Sequence, residues 1–217
     1  MTVELFAHPF SSYCQKALIA FYENEVPFTY RMLEDAGVSE ELASIWPIKR
    51  FPILRENSRV VLEASIIIEY LAVHHPGPVK LIPKDADLAL EVRMLDRFFD
   101  NYVMTPQGKF VFDAIRPPES RDPYGVEEAR GMLDTSYAWL DRRMQDRTWA
   151  VGETFTLADC AAAPSLFYAH WTYPIAERYG SLLGYRARLL ERPSFARAVN
   201  EARPFRHYFP LGAPDAD

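Results

Sequence analysis

Three short segments carry residue types that can do chemistry. The first is His8-Pro9-Phe10-Ser11-Ser12-Tyr13-Cys14, which follows a strand-like run and opens an apolar helix. Ser11 or Ser12 falls at the N-cap, where a hydroxyl accepts from a first-turn N–H. Two uses compete for that hydroxyl. It only caps the helix, or it also points at a ligand thiolate sitting over the helix N-terminus. The second segment, Phe51-Pro52, lies just ahead of a strand and suits a turn that presents its backbone to a ligand. The third, Glu63-Ala64-Ser65, opens another apolar helix. Its free backbone N–H groups and positive dipole end make an anion site.

The elements around these segments follow from periodicity. Thr2–Phe6 and Phe28–Met32 read as strands, joined by a helix over Ser12–Glu23 with Cys14, Ala17, Leu18, Phe21 and Tyr22 on one face. Asn57 and Ser58 are turn formers between the apolar runs Ile53–Leu54 and Val60–Leu62, which predicts a hairpin. A helix over 64–74 follows, with Ile66, Ile67, Tyr70 and Leu71 at helical spacing. Strand, helix, strand, hairpin and helix make an α/β pattern. A Pro-rich, charged stretch at 77–86 reads as a linker. Beyond it the chain is helical. Leu88, Val92, Leu95, Phe99 and Tyr102 form a core-facing stripe, and further helical patterns cover 124–145 and 156–172. The predicted division is an α/β domain over 1–76, the linker over 77–86 and an all-α domain over 87–217.

Bulk composition narrows the partners. The chain has 217 residues, 49% of them hydrophobic, enough to bury a sizeable core. A net charge of −6 argues against nucleic acid as the main partner. No apolar run reaches membrane-spanning length, and the N-terminus lacks the basic and apolar regions of a secretory signal, so a cytoplasmic location is expected. The two cysteines, Cys14 and Cys160, can pair, but two free thiols in a reducing cytosol are the preferred reading. His74-His75 has no further spaced ligand, so no metal is expected.

Four motifs in order resemble the cytosolic glutathione S-transferase superfamily, of the bacterial, serine-type kind. Ser11-Ser12-Tyr13-Cys14-Gln15-Lys16 is similar to its serine- or cysteine-type active-site segment. It also echoes the CxxC of thioredoxin-like proteins, with Ser11 in place of the first cysteine. Trp46-Pro47-Ile48-Lys49-Arg50-Phe51-Pro52 is similar to the family's NPxGKVP, and Glu63–Leu71 to its ESxAIxxYL. Phe155-Thr156-Leu157-Ala158-Asp159 matches its staple and capping-box segment, in which Thr156 caps and Asp159 bonds back.

The resemblance implies a thioredoxin-like N-terminal domain followed by a helical-bundle C-terminal domain. It implies a homodimer and a detoxifying transferase that conjugates glutathione, as co-substrate and without a metal, to a hydrophobic electrophile. Ser11 would be the catalytic residue, acting as hydrogen-bond donor to the thiolate. Glutathione would meet Ser11, Ser12, Lys49, Arg50, Phe51, Pro52, Glu63, Ala64 and Ser65. Phe51 would pair with its cysteinyl backbone if the Phe51–Pro52 bond is cis, Glu63 would take the amine, and Lys49 or Arg50 the glycyl carboxylate. The electrophile pocket would draw on His8, Met104, Gln107, Phe110 and Trp171. Asp100 would reach the partner subunit's glutathione.

The energetics of the thiolate are within reach. A free thiol has a pKa of about 8.5, and lowering it by about two units requires ~2.7 kcal/mol. One hydrogen bond to a charged group contributes about 1.5–3 kcal/mol and a helix N-terminus about 0.3–1 kcal/mol.

Two positions depart from the family pattern. Ala64 stands where a serine usually bonds the γ-glutamyl carboxylate, leaving either the Ser65 hydroxyl or backbone N–H groups for that task. Lys49 replaces a glycine, at a cost of roughly 1 kcal/mol if its φ is positive. Other residues have plainer readings. Cys14 and Cys160 read as buried apolar side chains, His8 as a turn residue, and Tyr13 as a less favoured alternative to the serine hydroxyl. Three other functions share these motifs: a glutathione-dependent isomerase, dehalogenase or ether-cleaving lyase, a disulfide reductase, and a non-catalytic binding or stress-response protein. Serine at the thiol position disfavours the reductase.

Overall fold

The structure, a computed structural model, describes residues 2–215 and 217. Its first half is a four-stranded mixed sheet of order β2-β1-β3-β4. The strands are β1 (Val3–Ala7), β2 (Thr29–Met32), β3 (Ile53–Glu56) and β4 (Arg59–Leu62). β1 pairs with β2 in parallel and with β3 antiparallel. The parallel pair requires a crossover, supplied by α1 (Ser12–Glu23). β3 and β4 form the expected hairpin, with Glu56 opposite Arg59. Asn57 turns the corner at φ 55°, a left-handed conformation that asparagine tolerates. α3 (Ala64–His74) closes the unit at the predicted bounds.

One element escaped the periodicity. α2 (Val38–Ile45) covers the sheet face opposite α1, where Val38 and Leu42 pack on Phe6 and Ile53. Its eight residues offer only two buried apolar side chains, too few for a periodic signal.

The second half is helical: α4 (Ala86–Phe98), α5 (Thr105–Ala114), α6 (Pro123–Arg143), α7 (Leu157–Thr172), α8 (Gly180–Glu191) and α9 (Pro193–Ala202). Residues Phe99–Met104 form a π-helical segment joining α4 to α5. The expected stripe on α4 is corrected at both ends. Leu88 and Tyr102 are exposed, and the buried positions are Ala89, Val92, Leu95, Asp96, Phe99, Asp100, Val103 and Met104. The wider π turn shifts the phase, so a stripe extrapolated at constant pitch misses its last member.

α7 is buried along nearly its whole length, and Ala161–Ala163 let neighbouring helices approach closely. Its N-terminus carries the predicted capping box. The buried Asp159 carboxylate accepts from Thr156 N–H at 2.8 Å, Ala150 N–H at 2.9 Å and Tyr185 O–H at 2.6 Å.

The halves share one core. α1 is buried from Cys14 to Phe21, and it packs on α3 as well as on α7 and α9. The linker is pinned to α1 by Asn24, whose side chain accepts from Val79 N–H at 2.9 Å and donates to its carbonyl at 3.1 Å. Gly77 is required there, because a Cβ would lie 2.3 Å from the Asn24 side-chain oxygen. Among the described residues no helix is long and apolar enough to cross a membrane.

Candidate functional site

A cleft of about 740 Å³ opens between the halves. Its floor is the start of α1 with Ser11, Ser12 and Tyr13, and one wall is built from Lys49–Pro52 with Glu63 and Ala64. The opposite wall comes from the π segment and α5, including Asp100, Met104 and Gln107.

Ser11 is the N-cap of α1, with extended backbone at φ −83°, ψ 125°. Its Oγ accepts from Cys14 N–H at 3.4 Å, which leaves the hydroxyl proton available to a cleft ligand. The turn leading to it is tightly held. Ser11 N–H donates to His8 C=O at 3.0 Å, and Phe10 N–H donates to His8 Nδ1 at 3.1 Å. From the helical half, Tyr168 O–H donates to Phe10 C=O at 2.9 Å, while the buried Gln15 amide donates to Pro9 C=O at 2.9 Å. Cys14 is fully buried, and burial pushes its thiol up to about 12. Cys160 is likewise buried, its thiol pushed well above the usual range, and both thiols are unpaired.

On the wall, the Phe51–Pro52 bond is cis. Lys49 has φ 58°, so the lysine occupies a left-handed position. Glu63 precedes α3 at φ 69°, ψ 127°, a conformation costly for a side chain with a Cβ and frequent at ligand sites. Ala64, the first residue of α3, lines the cleft next to it.

Beneath this wall lies a network of charges. Lys16, with 1% exposure, sits in the middle of apolar α1. Its Nζ lies 2.6 Å from Asp96 Oδ1 and 2.8 Å from Asp100 Oδ2. Arg97 reaches the same pair at 2.8 Å and 2.5 Å. The Ser65 hydroxyl is the hub: it donates to Asp96 at 2.8 Å and accepts from Lys16 at 3.0 Å and Arg97 at 2.6 Å. Burial holds the Asp100 carboxyl above the usual carboxylate range, against the pull of Lys16.

These contacts revise several expectations. The Ser65 hydroxyl faces the network, and Ser65 is absent from the cleft lining, which Ala64 joins instead. The Asp100 carboxylate binds Lys16 and Arg97 and also lines the cleft. Met104 and Gln107 line the cleft. His8, Phe110 and Trp171 stand outside its lining: His8 pairs with Glu34 at 3.2 Å, Phe110 stacks on Tyr173, and Trp171 packs on Phe167 and Phe209. Residues not anticipated include Lys16 and Asp96 in the network, and Tyr168 and Tyr208 in the cleft lining. The sequence held one signal for them, a lysine inside an apolar helix, which requires buried partners.

The glutathione S-transferase N-terminal domain model matches residues 5–79, and the glutathione S-transferase C-terminal domain model matches 123–188. The chain belongs to the glutathione S-transferase superfamily. Its fold is that family's thioredoxin-like domain followed by a helical domain. A glutathione S-transferase from Methylobacterium radiotolerans, in complex with glutathione sulfonate, superimposes with a TM-score of 0.79 at 28% identity, over 92% of this chain and 95% of that one. A stringent starvation protein A homolog from Coxiella burnetii is 25% identical over 91% of each chain. A probable glutathione S-transferase from Nicotiana tabacum is 29% identical over 70% of this chain and 61% of its own length.

Proposed function

We propose that this member of the superfamily binds glutathione in the cleft and transfers its thiolate to a hydrophobic electrophile, with the Ser11 hydroxyl donating a hydrogen bond to that thiolate. One observation carries the reading. The N-cap hydroxyl of Ser11 lines the same cleft as the Phe51 backbone and the N-terminus of α3. The tripeptide would lie with its cysteinyl backbone on Phe51, its γ-glutamyl carboxylate at the N–H groups after Glu63, and its glycyl carboxylate near Lys49 and Arg50. The Glu63 carboxylate would take the amine, and Ser12 would flank the sulfur. The thiol proton leaves to solvent. The sulfur lone pair forms a bond to the electrophilic carbon, and the leaving group departs with its electron pair.

The test is the pKa of bound glutathione, read by thiolate absorption, together with turnover of 1-chloro-2,4-dinitrobenzene. Ser11→Ala should raise that pKa by about one to two units, the value of one hydrogen bond to a charged group. Turnover near neutral pH should fall at least tenfold, whereas Ser12→Ala should change it far less. An unchanged pKa in the Ser11 variant would sink the mechanism.

A second reading rests on the likeness to the stringent starvation protein A homolog over most of both chains. In that reading the scaffold binds partners without catalysis. Failure to bind glutathione at millimolar concentration would favour it. We also infer a homodimer. Ile66 and Val73 on α3, with Leu90 and Met94 on α4, expose apolar side chains on helices linked by the Arg93–Glu69 ion pair. A monomeric mass in sedimentation would overturn this.

A further inference from the structure

We propose that the second substrate is an anionic electrophile whose carboxylate or comparable acid group is held by Lys109. The inference rests on the transferase reading and names its substrate class. Four cationic side chains line the cleft of a chain whose net charge is −6: Lys49, Arg50, Arg97 and Lys109. Three have assigned tasks. Arg97 is committed to Asp96 and Asp100. Lys49 and Arg50 flank Phe51, at the end where the glycyl carboxylate of glutathione would lie. Lys109 stands apart on α5, among Met104, Val111 and Phe112. Among the described residues it enters no salt bridge, although nearby Arg116 and Arg130 both do.

Its position relative to the sulfur follows from helix geometry. Thr105 lines the cleft together with Tyr13, which is two residues along α1 from Ser11. Lys109 is one turn beyond Thr105 on the same face, about 6 Å along the axis. An aromatic ring placed over Tyr13 with its reacting carbon toward Ser11 therefore directs its far edge at the lysine ammonium. The apolar and aromatic lining between them, Phe10, Tyr13 and Met104, suits the ring. A cation at that distance suits a group para to the point of attack.

Two chloroarenes that differ in charge test this. They are 4-chloro-3-nitrobenzoate and the near-isosteric 4-chloro-3-nitrobenzamide. In both, the carbon–sulfur bond forms, the carbon–chlorine bond breaks, and chloride leaves with the electron pair. Intrinsic reactivity cancels when the benzoate-to-benzamide ratio of kcat/KM is compared between wild type and Lys109→Gln. That ratio should fall about tenfold in the variant and further in Lys109→Glu, as expected for a charge-assisted contact in a partly desolvated cleft. The two preformed glutathione conjugates provide a second measurement that needs no turnover, and calorimetry should show the same shift in their Kd ratio. If both substrates react and neither ratio moves by more than twofold, the anion subsite is refuted and the transferase reading stands. If the Kd ratio shifts but no substrate reacts, the transferase reading falls and the subsite stands. Absence of binding by either conjugate would overturn both.

Discussion

Lys49 occupies a left-handed backbone position at φ 58°, which costs a residue with a Cβ roughly 1 kcal/mol or more. The position lines the cleft beside Phe51, where its charge would meet a bound tripeptide. Two opposite effects are expected of Lys49→Gly. Unfolding free energy should rise by up to about 1 kcal/mol, less the extra chain entropy of glycine. Glutathione affinity should fall about three- to tenfold as one cation is lost. Denaturant titration and calorimetry measure the two separately, and a variant that gains stability with undiminished affinity would show that Lys49 does not meet the tripeptide. Glu63, at φ 69°, is the other strained side chain on this wall. Neither angle could be read from residue types. The glycine that the motif normally carries at position 49 nevertheless flagged the first.

At the scale of elements, four pieces of chain meet at Lys16: α1, the start of α3, the end of α4 and the π segment. Two carboxylates and a hydroxyl hold its ammonium, and Arg97 binds the same three groups from outside. Removing one partner from a buried charged network strands the others, which costs about 3–5 kcal/mol. Lys16→Met should therefore lower stability by about that amount in urea unfolding, and a loss under about 1 kcal/mol would mean that Asp96 and Asp100 simply take up protons. Most elements were legible because they carry strong periods: α1, α3, α6 and α7 fell within one or two residues of expectation. The unread parts have a physical reason in each case. α2 has too few buried side chains. The inward turn of the Ser65 hydroxyl depends on Asp96 and Arg97 of α4 and on Lys16 of α1, all more than 30 residues away, whose meeting is a tertiary event. His8, Phe110 and Trp171 were placed by analogy to a pocket, but each found an aromatic or ionic partner elsewhere.

For the whole molecule, the distribution of carboxylates sets the response to acid. Glu4 and Glu41 are held below the usual 4.5, foremost by hydrogen bonds from Arg55, and Glu56 foremost by Tyr70. A depressed folded pKa means that the unfolded chain takes up protons first, so their stabilisation is present above 4.5 and lost as pH falls through the folded values. Asp100 and Asp159 act in the opposite sense, since burial raises both and the folded state protonates first. The three glutamates should prevail, with the urea midpoint falling between about pH 6.5 and about pH 3.5, and falling less in Glu41→Gln. An equal loss in both proteins would place the acid sensitivity elsewhere. The π-helical turn at Phe99–Met104 has a consequence for how such a scaffold tolerates insertions and deletions. Relative to an α-helix, that turn holds a surplus residue. Excising a single exposed one, such as Asn101, would restore regular pitch and leave α5 in its present phase, with Thr105 and Lys109 still on the cleft. The same excision within α4, where no surplus exists, would turn α5 by about 100° and carry both side chains away. A one-codon loss is thus harmless to this wall at one turn of the helix and ruinous at the turn before it.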